Sequence, residues 1–340
     1  MELYKIKSEQ QNGRIIPSPA MVNNTLEIST NIENATNEHF MSANTSSITL
    51  QEIKDKHVIP VFVKDNVPAI SQVEFIESTM RIAQTTLKQS LANLSIRVSH
   101  PIKGRTFEAR SKKVSDLLEH EKTIYNERMA FIFEIPHFKE NVHGQMVSLT
   151  VAGVKAYNQD NLYSYSGSVQ RFKIGIGYKV QVCTNLCLFT DGTQLEVKAR
   201  SVEELELAII EMFQKESFQA LLPQIHTLGE YSLSEKQFAT LLGKARLYNY
   251  LPQEQKVNIP PLLISDRQIS TVAKQYYSDD NFMKNPDGSI SLWNMYNLFT
   301  DSVKTSYIDT FLDRNVNAFS FIQGIASALE QKGNHHWFLS

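Results

Sequence analysis

The sequence has little cysteine, with two such residues, Cys183 and Cys187, in 340. The chain also begins without a basic start followed by an apolar stretch, so we do not expect a secreted protein that is stabilised by disulfide bonds. We expect a reducing, cytoplasmic location instead. If both cysteines lie on one strand, about 13 Å of backbone separates them, which is too far for a disulfide bond.

Long apolar runs and an excess of one charge are missing as well. No segment approaches the ~18 apolar residues of a membrane-spanning helix, so we expect no membrane partner. The formal net charge is -2 and the pI is about 6.5, which argues against a basic field over the whole surface. What is present is ordinary: 42% hydrophobic and 21% charged residues, enough for a sizeable core that needs no structural metal.

Three regions differ in their residue pattern. Residues 1–55 are rich in Asn, Ser and Thr and lack a sustained apolar period, which predicts a flexible leader. Between residues 128 and 200, short apolar runs follow one another, and Asp191-Gly192 predicts a two-residue hairpin turn. Helical periodicity dominates afterwards. We therefore predict an α+β fold, with a central, mainly antiparallel sheet in a domain of residues 56–200 and a helical region, 201–340, packed on it.

Local signals place several element boundaries. Pairs of residues with capping-box spacing predict three helix starts, at Ser71 with Glu74, Ser201 with Glu204, and Ser234 with Gln237. The apolar face of the first of these helices is predicted to continue to residue 94. Asn315 is predicted to cap the last helix. Gly175 and Gly177 predict a bulge or bend between two strands.

A resemblance to a known family rests on four segments. They are Leu149–Asn158, Val182–Cys187, Leu292–Thr300 and residues 96–105. With them the chain resembles a bacterial domain-of-unknown-function family, number 3871, over most of residues 57–340. The second and third segments are also similar to phage- and plasmid-related proteins of unknown function. The chain in general, without particular residues, loosely resembles phage single-strand annealing proteins. The resemblance implies mobile DNA, cytoplasm, and recombination or replication, but it brings no catalytic or binding residues.

The most suggestive local feature is a basic segment. Against the single acid Glu108, it contains Arg97, Lys103, Arg105, Arg110, Lys112 and Lys113. Such a segment can neutralise phosphates and release counterions, which gives affinity for nucleic acid without sequence preference. Gly104 would let the backbone approach a ligand closely. The alternative is a solvated surface loop that is balanced by the acidic stretch 116–121.

Aromatic residues near basic ones offer a second candidate surface. The aromatic set is Tyr157, Tyr163, Tyr165, Phe172 and Tyr178, and the basic set is Lys155, Arg171, Lys173 and Lys179. Aromatic side chains on a sheet stack on bases in many nucleic-acid-binding proteins. Strands also use aromatic residues to fill a core, and we favour that interpretation here.

Motifs for metal binding and catalysis are weak. His137, Glu140 and His143 suit a hairpin loop, the acids Asp301, Asp309 and Asp313 suit helix ends, and we found no phosphate-binding loop, nucleophile elbow or zinc-protease motif. We predict no cofactor and no metal, and favour a non-enzymatic role. The first hypothesis is a DNA-binding accessory factor of a mobile element, with single- or double-stranded DNA as its partner. The alternatives are an assembly factor that binds protein or forms a homo-oligomer, and a metal-dependent enzyme.

Overall fold

The computed structural model describes residues 39–57, 62–63, 67–106, 108–160, 168–188, 196–215 and 221–340. Its strands are β1 (Ser46–Ser47), β2 (Phe62–Val63), β3 (Val67–Pro68), β4 (Ala92–Val98), β5 (Pro101–Arg105), β6 (Lys122–Asn126), β7 (Arg128–Val142), β8 (Gln145–Ala156), β9 (Gln170–Val180), β10 (Leu186–Leu188), β11 (Glu196–Ala199), β12 (Ser232–Leu233) and β13 (Ile290–Ser291). Its helices are α1 (Leu50–Lys56), α2 (Gln72–Leu87), α3 (Val202–Lys215), α4 (Leu221–Leu228), α5 (Glu235–Tyr250), α6 (Gln253–Lys256), α7 (Asp266–Ser278), α8 (Leu292–Val303) and α9 (Ile308–Leu329).

The centre of the molecule is one sheet in the order β1-β4-β7-β8-β9-β10, with β11 also paired to β9. All of these pairings are antiparallel. The two long central strands, β7 and β8, are buried along most of their length, as expected for apolar runs that are covered on both faces. The structure thus confirms the predicted α+β class and its mainly antiparallel sheet.

Helices cover both faces of the sheet. On one face, the ring of Phe75 in α2 lies 5.3 Å from Phe131 and 4.9 Å from Phe172. A Cβ at Gly153 would come within 2.3 Å of the Phe131 ring, so this aromatic packing needs glycine. On the other face, Lys173 donates to the Asp309 carbonyl (2.7 Å) and the Asp313 carboxylate (2.6 Å) in α9. Because neighbouring residues on a strand point in opposite directions, the core lies in two layers around the sheet.

The three predicted caps are confirmed. The hydroxyl groups accept a hydrogen bond from the backbone N–H three residues later in each case, at Ser71, Ser201 and Ser234. Serine favours the capping position over a helix interior, because its hydroxyl group bonds to nearby backbone groups. Local chemistry was sufficient to predict these starts.

Other boundaries differ from the prediction where tertiary packing overrides local pattern. α2 ends at Leu87, where Lys88 is left-handed (φ 53°), and residues 92–98 join the sheet as β4. Gly175 and Gly177 lie inside a single strand, β9. A Cβ at Gly177 would lie 2.1 Å from the Cys187 carbonyl oxygen, so this glycine allows a close approach of β10.

The last helix also begins earlier than predicted. α9 starts at Ile308, and Asn315 is buried inside it, where its side-chain amide donates to the Phe311 carbonyl. Asn315 therefore does not cap the helix. An Asn in mid-helix can bond to the preceding turn in this way, which makes it a poor marker of a helix start when it is buried.

Two further predictions fall partly outside the described residues. Part of the predicted leader, residues 39–55, is packed against the rest of the protein. Phe40 and Met41 are buried, β1 joins the sheet, and Thr49 caps α1 with Glu52. Residues 1–38 lie outside the described part, as does the predicted Asp191-Gly192 turn. The strands on either side of that turn, β10 and β11, both pair with β9 and not with each other. None of the helices in the described ranges combines the length and apolarity needed to cross a membrane.

Candidate nucleic-acid interface

Most of the basic segment lies in a two-stranded antiparallel ribbon, whose described residues are 101–106 and 108–126. Its strands, β5 and β6, pair with each other and form a sheet of their own beside the central one. Lys103 lies opposite Ile124, and Arg105 lies opposite Lys122. Cross-strand partners share a face and residues two apart share a face, so Lys103, Arg105 and Lys122 lie on the same side. We call this side the cationic face.

The opposite side of the ribbon faces the body of the protein. Thr123 is buried there, and the ring of Tyr125 lies 6.2 Å from the buried Tyr157. A Cβ at Gly104 would be 2.9 Å from the Thr123 hydroxyl, so the missing side chain makes room for the ribbon's own partner strand. Gly104 thus has a packing role within the ribbon, and the close approach of a ligand there stays a prediction. The cationic face, with Lys103 and Lys122 exposed, points to solvent.

The base of the ribbon is fixed to the core. Asn126 donates to the Ser99 carbonyl (2.5 Å), and its own carbonyl accepts from the buried side chain of Gln72 (2.6 Å) at the start of α2. Ser99 also donates its backbone N–H to the Arg128 carbonyl (2.9 Å). These bonds connect the ribbon to α2 and to β7, so its direction relative to the core is set before any ligand binds.

The turn between the two strands holds the remaining basic residues among acids. Arg105 donates to the Lys112 carbonyl, and the Lys112 ammonium group pairs with Glu121. The hydrogen bond from Lys112 lowers the pKa of the Glu121 carboxyl group. Lys122 pairs with Glu119 at 2.5 Å. Acids in the stretch 116–121 thus neutralise part of the basic segment, as the alternative interpretation expected.

The turn still leaves basic side chains at the surface. Arg110 and Lys113 are exposed there. Residues 101–126 hold six Lys or Arg against four Asp or Glu, so the ribbon carries a positive balance on a chain whose formal net charge is -2. Lys122, which sequence reasoning missed, belongs to the cationic face only because of the strand register.

Arg97 does not belong to this surface. Its side chain is 6% exposed, and it donates to the Thr45 hydroxyl (3.0 Å), the Thr45 carbonyl (2.8 Å) and the Ser47 hydroxyl (2.5 Å). Burial lowers the pKa of the guanidinium group. Arg97 therefore holds β1 and the segment before it against β4, and we correct its assignment as a nucleic-acid-binding residue.

The described members of the aromatic set lie in the core rather than on a binding surface. Tyr157, Phe172 and Tyr178 are all buried, which agrees with the favoured interpretation, while Tyr163 and Tyr165 lie outside the described residues. A stacking platform on the central sheet is excluded for the three described side chains, because bases cannot reach them. The ribbon and these aromatic residues do not share an exposed face.

A buried ion pair lies beside these aromatic residues. Lys155 and Asp160 both have fully buried side chains, and their charged atoms are 2.5 Å apart. The Lys155 ammonium group also lies 4.1 Å from the centre of the Phe172 ring. Burial lowers the pKa of Lys155 to about 8, against the opposing effect of Asp160. The hint in the sequence is one lysine within the apolar stretch 149–157.

A second buried charge is satisfied by its neighbours. Glu134 on β7 pairs with Lys179, accepts from Ser148 (2.7 Å) and Gln181 (3.0 Å), and also accepts from Asn93 (3.1 Å). Burial raises the pKa of Glu134, but the charge of Lys179 and the hydrogen bonds from Lys179, Ser148 and Gln181 together lower it below its ordinary value. All four neighbouring donors are turned to the same carboxylate, so this network holds β4, β7, β8 and β9 together.

The candidate metal ligands do not converge. No group of three His, Cys, Asp or Glu side chains suited to a metal occurs in the part of the chain that the structure describes. The His143 ring forms a hydrogen bond with the His226 carbonyl (2.7 Å). The Asp301 carboxylate pairs with the Lys304 ammonium group (2.8 Å). Asp313 in α9 pairs with Lys173 on β9. Ion pairs within the protein thus account for Asp301 and Asp313, and the Asp309 carboxylate accepts a hydrogen bond from Gln159 (3.4 Å).

Neither cysteine forms a disulfide bond. Cys187 lies on β10 and is fully buried, which raises the pKa of its thiol group, while Cys183 is half-buried in the turn before the strand. A buried thiol with a raised pKa is a poor nucleophile, since the thiolate is the reactive form. Cys187 therefore acts as a small apolar side chain in the core.

Comparisons with known proteins identify a family and nothing further. Neither a search of curated proteins nor a search of solved structures gave a match. A family model matches residues 21–339, which is nearly the whole chain and includes the ribbon, the central sheet and the C-terminal helices. The chain therefore belongs to the family described as "Domain of unknown function, B. Theta Gene description (DUF3871)".

Proposed function

We propose that this protein is a non-enzymatic, cytoplasmic accessory factor of a mobile element and that it binds DNA through the ribbon. The observation that carries the proposal is the register of β5 and β6, in which Lys103, Arg105 and Lys122 share the face that points away from the core. Arg110 and Lys113 in the turn extend the same positive region. The mobile-element context rests on the similarity of residues 182–187 and 292–300 to phage- and plasmid-related proteins.

Binding of this kind should be weak and sensitive to salt. Each phosphate that a Lys or Arg neutralises releases counterions, which lowers the logarithm of the association constant by about 0.9 for each tenfold rise in salt. Glu119 and Glu121 already pair with Lys122 and Lys112. The net charge of -2 also repels DNA from the rest of the surface. A few contacts from one small surface are therefore expected.

The test is fluorescence anisotropy of labelled single- and double-stranded oligonucleotides with the full chain across a salt titration. Replacing Lys103 and Lys113 by Ala removes two exposed charges without touching Arg105 or Lys112, which hold the turn. We expect weaker binding and a salt slope that is smaller by about 2, because two phosphate contacts are lost.

A matched control removes the same charge elsewhere. Lys236 in α5 and Lys274 in α7 are also exposed. The variant with both replaced by Ala should have the same affinity and the same salt slope as the wild type. Equal effects of the two double variants would show that binding does not depend on the ribbon. An absence of binding at low salt would reject the proposal.

One observation favours assembly with another protein as a second candidate function. Three apolar side chains lie exposed within eleven residues of one another at the end of α5 and just after α6: Leu247, Tyr250 and Val257, which are 59%, 73% and 78% exposed. Clustered exposed apolar side chains are typical of interaction surfaces. We take a second copy of the chain as the partner that this surface binds. Analytical ultracentrifugation of the wild type and of the variant Tyr250→Lys tests this. Self-association of the wild type that the variant abolishes would support a homo-oligomer.

A further inference from the structure

We infer that the ribbon docks, cationic face inward, in the major groove of double-stranded DNA. This inference rests on the proposed function and names the form of nucleic acid that the same surface would take. Its starting observation is that β5 and β6 pair only with each other within the described residues, so that they stand beside the central sheet as a separate unit.

The dimensions of the ribbon match those of the groove. Five residues in each strand span about 17 Å, and two paired strands lie about 5 Å apart. The major groove of B-form DNA is about 12 Å wide and accepts a two-stranded ribbon, whereas the minor groove is about half as wide. One side of the ribbon meets the core at Tyr125, and Thr123 on that side is buried. The other side is the one that can meet the base edges.

The side chains on the cationic face suit the chemistry of that groove. Lys103, Arg105 and Lys122 are hydrogen-bond donors, and guanine presents two acceptors, N7 and O6, in the major groove. Ile124, opposite Lys103 and half-buried, offers an apolar surface of the kind that contacts a thymine methyl group. Arg105 uses part of its guanidinium group on the Lys112 carbonyl, which orients the side chain before DNA arrives.

Single strands are a poorer match for this surface. Proteins that bind unpaired bases combine a basic groove with aromatic side chains on which the bases stack. The described residues of β5 and β6 contain one aromatic side chain, Tyr125, and it faces Tyr157 in the core. Duplex RNA is also a poor match, because its major groove is deep and narrow and does not admit protein side chains.

The experiment compares three nucleic acids of one sequence with the full chain by fluorescence anisotropy: duplex DNA, its single strand, and duplex RNA. We expect duplex DNA to bind about tenfold more tightly than either of the others, the equivalent of one good base contact. Methyl green, which occupies the major groove, should displace the protein from duplex DNA. Netropsin, which occupies the minor groove, should leave the protein bound.

Two results would overturn the inference while leaving DNA binding intact: displacement by netropsin alone, or equal or tighter binding of the single strand or the duplex RNA. Binding to none of the three would overturn the proposed function as well. The variant Lys103→Glu should lose the preference for duplex DNA, while the control Lys236→Glu should keep it. Because Lys103 is exposed, an unchanged urea midpoint is expected for both variants and separates lost binding from lost folding.

Discussion

The central sheet and the ribbon use the same residue types for opposite purposes. In the sheet, Lys155 is buried against Asp160 and the Phe172 ring. In the ribbon, Lys103 stands on an exposed face of a short two-stranded sheet. The Lys155 charge pairs with an acid inside the protein, whereas the Lys103 charge is hydrated and is free to pair with an external anion. The role of a lysine in this chain therefore follows from what surrounds it and not from the basic residues near it in sequence.

The largest effect is expected in the sheet. Replacing Lys155 by Met leaves the Asp160 carboxylate buried without its partner, which should lower the free energy of unfolding by about 3–5 kcal/mol. Urea unfolding followed by circular dichroism measures this change. The double variant Lys155→Met, Asp160→Asn removes both charges and should recover most of the loss. A single variant as stable as the wild type would show that the ion pair does not hold this part of the core.

A smaller loss is expected at Arg97, which lies in the same basic segment as Lys103 but is buried. The change Arg97→Gln removes charged hydrogen bonds to Thr45 and Ser47 and should lower the free energy of unfolding by about 2 kcal/mol. At a temperature where the variant is folded, its affinity for oligonucleotides should equal that of the wild type. Weakened binding by this folded variant would place Arg97 in the interface after all.

The smallest change in stability is expected at Lys103, where the same substitution, Lys103→Gln, removes the same charge. An exposed side chain of this kind should change the free energy of unfolding by no more than about 0.5 kcal/mol. Affinity for oligonucleotides should fall, in contrast to Arg97→Gln. Together the two variants separate structural from ligand-binding charge, and the comparison fails if both affect stability and affinity in the same way.

The sequence predicted elements that local chemistry decides. Ser71, Ser201 and Ser234 cap helices because a serine hydroxyl at that position satisfies a backbone N–H that the helix cannot. The succession of apolar runs between residues 128 and 200 predicted an antiparallel sheet, since short turns allow only that arrangement. Both kinds of signal act within a few residues, and for this reason they could be read from the sequence.

Predictions that depended on distant neighbours were less successful. Residues 92–94 continue an apolar helical pattern, yet pairing with β7 draws them into β4. Gly177 resembled a bend, but it makes room for the Cys187 carbonyl on another strand. Arg97 resembled its basic neighbours, but Thr45 and Ser47, about fifty residues earlier, enclose it. In each case the deciding contact comes from a part of the chain that local pattern does not include.

The sequence by itself determined the α+β class, the three serine caps and the presence of a basic segment. The tertiary structure decided which basic residues are buried, since burial depends on contacts across the whole chain, and it added Lys122 to the cationic face through strand register. It also enclosed Lys155 with Asp160. Neighbouring residues determine where helices and strands start, whereas the exposure and the ion pairing of a side chain depend on how distant segments pack together.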